Sequence, residues 1–427
     1  MVHGPTWLLK RLSADIVPVI CRLCNLSIQT GIVPSSLKHA RVQPLLKKPT
    51  LDPDTCCSYR PISNLSYISK LIERVVVKRF RAHVSDHSLF PVQQSAYRAF
   101  HSTETAILAV HNDLVRAVDN NRVSLLVLLD LSAAFDTVDH NILLSVLSRR
   151  FSVTGTAFLW FQSYLSGRTQ SFIYNSQYTP CHEVDCSVPQ GSVLGPVKFV
   201  AYTEDIVDVA DKHQVRSHFY ADDSQMYDSC RPQDVSGVRD RLSRCATDVS
   251  CWCASRRLQL NATKTEAVWF GTRRNLDRLH DQDRHVQIDS EIISPVTVVR
   301  DLGVYLDDEL SMKQHVNRIA ATCFFHLRRR RIGRDLTVRL ILAFITTWLD
   351  YCNSALAGLP QITLAPLQRV QNAAARLVFE LRVCEHVTPS LMQLHWLPVR
   401  WNGWVVQLIL HPQSTFGWLS NAAVLLH

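Results

Sequence analysis

Apolar residues recur along this chain at two spacings, and the switches between them divide it into elements. Leu8, Leu9, Leu12, Ile16, Ile20, Leu23 and Leu26 return every three or four residues, which predicts a helix over 7–30 closed by Gly31 and Pro34. Arg41–Leu46 reads as a strand running into a basic turn at Lys47 and Lys48. Residues 58–65 read as a turn leading into a long amphipathic helix that ends near Phe80, with Ile68, Leu71, Ile72, Val75 and Val76 on one face. Ser102 and Thr103 start the next helix, apolar at Ala106, Ile107, Val110 and Leu114.

The run Val123–Leu129 is too short for a typical helix and apolar on both faces, so it reads as a central buried strand. It ends in Asp130, and an acid where a buried strand meets the end of its sheet is costly unless paired or bound to a metal. Asp139 reads as the N-cap of a helix over 141–149, and Asp136 as a turn or hydrogen-bonding residue. An aromatic-rich helix (Phe158, Trp160, Phe161, Tyr164) and a strand pair over 169–174 and 182–188 lead to Pro189-Gln190-Gly191, a tight turn whose glycine lets backbone approach a ligand closely. His218–Tyr227 reads as a hairpin with Asp222 and Asp223 at its tip. Two such carboxylates repel unless a cation lies between them, although Asp is also an ordinary turn residue. A helix over 235–252, a strand over 267–270 and a hairpin over 296–306 follow, and from Met312 the pattern is nearly all helical, with a short buried helix over 340–349.

Composition narrows the class. At 427 residues and 47% hydrophobic, the chain is long enough for two or three globular domains. A net charge of +9, spread along the chain, mildly favours a polyanionic partner. There is no uninterrupted apolar run of membrane-spanning length, and Met1–Pro5 lacks the regions of a signal peptide. Thirteen cysteines, an odd number at irregular spacing, do not form a secreted disulfide framework; Cys21 and Cys24, in a helical pattern, read as a buried structural pair and not a zinc site.

Taken in order, several segments resemble the reverse transcriptase domain of non-LTR (LINE-type) retrotransposons, close to the chicken-repeat and jockey-like groups. Tyr59-Arg60-Pro61-Ile62-Ser63 and Gln94-Ser95-Ala96-Tyr97-Arg98 with His101–Glu104 look like its fingers motifs. Leu129–Asp136, Val188–Pro196 and Phe219-Tyr220-Ala221-Asp222-Asp223 look like its three main palm motifs. Leu260-Asn261 with Lys264-Thr265-Glu266, Leu302-Gly303-Val304, and Leu394–Arg400 look like later blocks. Each match alone is weak; their order is specific, and they cover about residues 5–400.

The resemblance implies an α/β (α+β) right-hand polymerase: an N-terminal extension and fingers over 1–120, an antiparallel palm sheet flanked by helices over 121–310 with a fingers insertion within 150–190, and a helical thumb over 311–400. It implies RNA-directed DNA polymerase activity on an RNA template, a DNA primer and deoxynucleoside triphosphates. Two Mg²⁺ ions, with Mn²⁺ as a substitute, would be held by Asp130, Asp222, Asp223 and the carbonyl of Leu131. Phe135 would exclude a 2′-hydroxyl, Gln190 and Gly191 would line the nucleotide and template pocket, Arg98 would clamp the triphosphate, and Lys264 would protonate pyrophosphate. Arg328–Arg331 would hold nucleic-acid backbone or form a solvated helix face. No organic cofactor and no membrane are expected, and the expected location is intracellular, in cytoplasm or nucleus.

Three departures from the family pattern stand out. No endonuclease domain precedes the fingers, so target-site nicking is not expected here. Lys198 falls on a helix that in the family is apolar, and is expected to snorkel, to pair with Glu204 or Asp205, or to destabilise. Residues 401–427 read as an unrelated tail, as from a frameshift or splice junction. The alternative function is an inactive remnant that only binds nucleic acid.

Overall fold

The computed structural model describes residues 6–132, 135–174, 177–328 and 334–401. The tail 402–427, Arg329–Arg331 of the basic cluster and the alanines that follow Ser132 lie outside the described residues, whereas Arg328 is exposed. In chain order the strands that matter below are β1 (His39–Leu46), β2 (Tyr59–Asn64), β3 (Val123–Leu129), β4 (Leu131–Ser132), β5 (Arg168–Tyr174), β6 (Gln177–Tyr178), β7 (His182–Val184), β8 (Arg216–Tyr220), β9 (Asp223–Cys230), β10 (Gln259–Leu260) and β11 (Glu266–Phe270). The chain folds into two compact units, one made of 1–97, 131–212 and 248–261, the other of 98–130, 213–247 and the chain from 262 on.

The first unit is built on a mixed sheet of order β2-β1-β5-β6, with β7 pairing β5. The stretch 58–65 is therefore not the expected turn but an edge strand. Pro61 lies opposite Pro44, so both missing backbone donors fall on one rung of the β1–β2 pair, and β2 is an edge strand, where proline is tolerated. The helix Ser13–Thr30 ends at Gly31, whose φ of 71° and N–H bond to the Ser27 carbonyl make a left-handed cap. A Cβ there would come within 2.9 Å of the Leu159 side chain. An aromatic cluster of Phe80, Phe90, Phe151, Trp160, Phe161 and Tyr164 joins the helices Tyr67–Asp86 and Gly155–Leu165. Cys24 is buried but Cys21 is exposed, so the two are not a buried pair.

Lys198, on the helix Gly195–Tyr202, takes neither of the two expected ways to keep its charge solvated or paired. It is 1% exposed and does not snorkel. Glu204 is held by Arg150 and Asp205 by Arg256. The ammonium instead lies 4.3 Å from the Tyr164 ring centroid and makes no hydrogen bond among the described residues.

The second unit carries an antiparallel sheet of order β11-β3-β9-β8. As the apolar run predicts, β3 is central, and Val123, Leu125 and Leu126 have no solvent exposure. The helix Thr103–Asp119 begins with a reciprocal capping box between Ser102 and Thr105. It contributes Ile107, Val110 and Leu114 to a core shared with Leu126, Val268, Phe270, Val304 and the helices Lys313–Leu327 and Gln361–Phe379. The segment 340–349 is helical, with a π-turn over Leu342–Thr346, but only one face is buried. Ile341, Ile345 and Leu349 point inward, while Leu342, Phe344 and Trp348 are exposed.

Candidate active site

Two adjacent acids can share a site only if the backbone turns between them. β8 and β9 close with Tyr220 opposite Asp223, leaving Ala221 and Asp222 as a two-residue loop. Ala221 has φ +59°, and a non-glycine side chain in the left-handed region at the first position of a hairpin loop is strained. Asp222 is thus at the tip, and Asp223 is already the first residue of β9. On the other side, β3 pairs β9 as far as Leu129 opposite Ser224. One further step in that register puts Asp130 opposite Asp223.

The three carboxylates sense one another. Asp223 is pushed up to about 6, by partial desolvation of its carboxyl and then by the charges of Asp222 and Asp130. Since Asp223 is open to solvent, the neighbouring charges are the firmer cause. Lys264, the last residue of a 3₁₀ turn just before β11, places its Nζ 3.0 Å from Asp130 Oδ2. An all-oxygen donor set with more negative charge than one lysine neutralises suits a hard divalent ion. Among the described residues, however, no group of three or more His, Cys, Asp or Glu side chains is arranged to close around one ion. Arg98 belongs to this unit too, half-buried on the irregular segment before the helix Thr103–Asp119, between left-handed Tyr97 and Phe100; burial lowers its pKa.

Behind the hairpin lies a pair the sequence did not mark. Gln225 is fully buried on β9, and its amide donates to Asp301 Oδ1. Burial pushes the Asp301 carboxyl up to about 7; the Gln225 bond opposes this and the charge of Asp223 adds to it. In the sequence Asp301 reads only as part of the 296–306 hairpin.

Leu131, Phe135, Gln190 and Gly191 belong to the first unit. Leu131 begins β4 and pairs with Leu260 of β10. Val188 N–H donates to the Phe135 carbonyl at 2.8 Å and Ser187 N–H to that of Val138 at 2.8 Å, so the strand expected over 182–188 stops at Val184 and its end is tied to the Phe135 turn. The Phe135 ring stacks on Phe199, centroids 4.7 Å apart. Gln190 donates to both carboxylate oxygens of Asp136, at 3.2 and 3.3 Å, which bears out Asp136 as a hydrogen-bonding residue. Burial raises the Asp136 pKa, with Gln190 and the charge of Lys47 opposing. Gly191 has φ +96°, and a Cβ there would stand 3.1 Å from the Ser63 carbonyl oxygen, so the backbone approach requires glycine. Asp139 caps the helix His140–Arg149 through Asn141 and Ile142 N–H, as its position predicts.

Glu73 is a further residue the sequence reading passed over. It is a buried acid in the apolar stripe Ile72, Val76, Val77 and Phe80, and it accepts hydrogen bonds from Tyr164 and from the backbone after Gly191. An acid inside an apolar stripe was the available signal, because such a charge needs a partner.

A polymerase family fits this geometry, and comparison with known proteins bears it out. Residues 46–306 match the family model described as reverse transcriptase (RNA-dependent DNA polymerase). The chain belongs to the reverse transcriptase family, with the right-hand polymerase fold, and is a reverse transcriptase domain of the LINE type. It is 27% identical over 341 residues to the "Probable RNA-directed DNA polymerase from transposon BS" of Drosophila melanogaster, covering 78% of this chain and 36% of that protein. To the "RNA-directed DNA polymerase from mobile element jockey" of the same fly it is 24% identical, covering 73% of this chain and 33% of the relative. The chain thus spans about a third of the length of these relatives. Among solved structures, apo telomerase from Candida tropicalis is similar at TM-score 0.49 and 11% identity, covering 89% of this chain and 63% of that one. As a family, reverse transcriptases use divalent metal ions. Among the described residues no helix is long and apolar enough to cross a membrane.

Proposed function

We propose that this chain supplies the RNA-directed DNA polymerase activity of a LINE-type element, extending a DNA primer on an RNA template with deoxynucleotides. What supports this reading is that β3 pairs β9 up to Leu129 opposite Ser224, one step short of Asp130 and Asp223, with Asp222 at the tip of the same hairpin. We assign Asp130, Asp222, Asp223 and the Leu131 carbonyl as the groups that would hold two Mg²⁺ ions, Mn²⁺ being a substitute. Bound there, such ions supply a lowered pKa for the primer 3′-hydroxyl and neutralise charge on the leaving pyrophosphate.

The chain's own side chains do the rest. Phe135, held by its stack on Phe199, faces the sugar and excludes a 2′-hydroxyl by shape. Gln190, oriented by Asp136, and Gly191 line the pocket for nucleotide and template. Arg98 clamps the triphosphate through charge-assisted bonds. Lys264, already at the acids, gives its proton to pyrophosphate. In this reading residues 1–120 are an extension and fingers, 121–310 the palm with an insertion within 150–190, and 311–400 the thumb.

Primer extension on poly(rA)–oligo(dT) with Mg²⁺ tests the proposal. Wild-type product well above an Asp222→Ala control is expected; product no greater than that control overturns it and leaves a nucleic-acid-binding remnant.

A further inference from the structure

The backbone of the Pro189–Gly195 loop is anchored to other segments at three places, and only one of these anchors is charged; the Gln190 side chain separately meets the Asp136 carboxylate. Val188 N–H bonds the Phe135 carbonyl at 2.8 Å, and Ser63 N–H bonds the Gln190 carbonyl at 2.7 Å. The third anchor is Glu73, 1% exposed on the helix Tyr67–Asp86. Its Oε2 accepts from Val193 N–H at 2.6 Å and Leu194 N–H at 3.3 Å, and its Oε1 from the Tyr164 hydroxyl at 2.8 Å. Leu194 is the N-cap of the helix Gly195–Tyr202 and gives no side-chain cap of its own. Glu73 therefore provides, across 120 residues of sequence, the acceptor that a helix start ordinarily takes from a neighbouring Ser, Thr or Asp. Ser192 Oγ, accepting from Gly195 N–H at 2.9 Å, completes the turn.

We propose that Glu73 is a positioning residue for nucleotide selection: its carboxylate fixes the end of the loop and thereby the placement of Gln190 and Gly191. The proposal rests on the reading of that loop as the nucleotide and template pocket. Glu73 touches neither substrate nor Gln190. It acts through the backbone of Val193 and Leu194, and hydrogen bonds to an ionised acceptor are about twice as strong as neutral ones. Without it the Val193 and Leu194 N–H groups lose their acceptor, and the end of the loop is no longer tied down, although Gln190 keeps its bonds to Asp136 and Ser63 at the other end. Tyr164 in turn holds the carboxylate, and Arg168 holds Tyr164 by bonding its carbonyl at 3.1 Å and lying over its ring at 4.7 Å.

Two readouts on the full chain test this. The first is hydrogen exchange of the 188–195 amides without substrate. Glu73→Ala is expected to speed it by about tenfold or more while exchange in β3 stays as in wild type. The second is steady-state primer extension. Glu73→Ala is expected to raise the KM for the incoming nucleotide by about 10- to 100-fold with a much smaller change in kcat and in primer–template affinity. Glu73→Gln, whose amide oxygen still accepts from Val193 and Leu194, restores most of both, and Tyr164→Phe shows a smaller form of the same pattern. If Glu73→Ala does not fold, these two variants carry the test. Unchanged loop exchange overturns the proposal whether or not the protein polymerises. Faster exchange with an unchanged KM overturns the role in nucleotide selection. Wild type inactive against the Asp222→Ala control overturns the polymerase reading instead, and the exchange measurement then decides the positioning on its own.

Discussion

Lys264 Nζ lies 3.0 Å from Asp130 Oδ2, and strand pairing places it there: β11, which starts two residues later, is antiparallel to β3, whose last residue precedes Asp130. The pair is open to solvent, with side chains 65% and 32% exposed. Surface pairs of this kind contribute about 0–1 kcal/mol, so Lys264→Ala should leave the melting temperature nearly unchanged. A general acid contributes about 10²–10⁴-fold, so single-turnover extension should fall by at least about 10²-fold. Lys264→Arg keeps the ion pair but cannot release a proton near neutral pH, and it should be as slow as the alanine variant. An alanine variant with wild-type turnover removes the acid role.

Asp222→Asn separates catalysis from stability in the opposite way. Removing one of three mutually repelling carboxylates relieves Asp223, whose pKa Asp222 helps to raise. The variant should therefore melt at or above the wild-type temperature when divalent ions are chelated. Its primer extension should drop by about 10³-fold or more, because an amide is a poorer ligand than a carboxylate for a hard cation. Lower stability in EDTA would show that the cluster is held together by contacts other than a bound ion.

Phe135 is the residue to change for sugar selection. Its ring stacks on Phe199, with an interplanar angle of 28°. Phe135→Ala should cost about 1–3 kcal/mol in stability from lost packing. It should also raise ribonucleotide incorporation relative to deoxynucleotide by about tenfold or more, since discrimination by shape ends when the shape is removed. Competition between labelled dTTP and UTP on one template reads the ratio, and a ratio equal to wild type sinks the gate.

What was legible in the sequence was local. The run Val123–Leu129 declares a buried strand because both faces are apolar, and it carries Asp130 with it. The capping box at Ser102 and the left-handed cap at Gly31 each need only four or five residues of context. What was not legible depends on partners far along the chain. Residues 59–64 became a strand only because β1 lies beside them. Glu73 is explained by Tyr164 and Val193, 91 and 120 residues away. Exposure of Phe344 and Trp348 follows from which face of the helix meets the core, which an apolar run does not encode. Three acids could be found from sequence, but the loop supports around Gln190 could not.

Lys198 offers the sharpest test of energetics, because its surroundings disagree with its charge. Burial and then the Arg168 charge, with Glu73 opposing both, bring its pKa down to about 7. The ring of Tyr164 and the imidazole of His140 are its other polar neighbours. An unfolded lysine titrates near 10.4, so between about pH 7 and 10.4 the unfolded chain binds the extra proton and the folded one does not. Stability from this group therefore rises with pH across that window, and the full cost of the buried ammonium is felt below pH 7. Lys198→Met keeps the volume and removes the charge. It should stabilise the protein at pH 6 by about 1–4 kcal/mol, and the gain should shrink steadily toward pH 10. Urea titrations of both proteins at pH 6, 8 and 10 give the difference directly. A methionine variant less stable than wild type at pH 6 would mean that the attraction to Glu73 and the Tyr164 ring outweighs the desolvation of the ammonium.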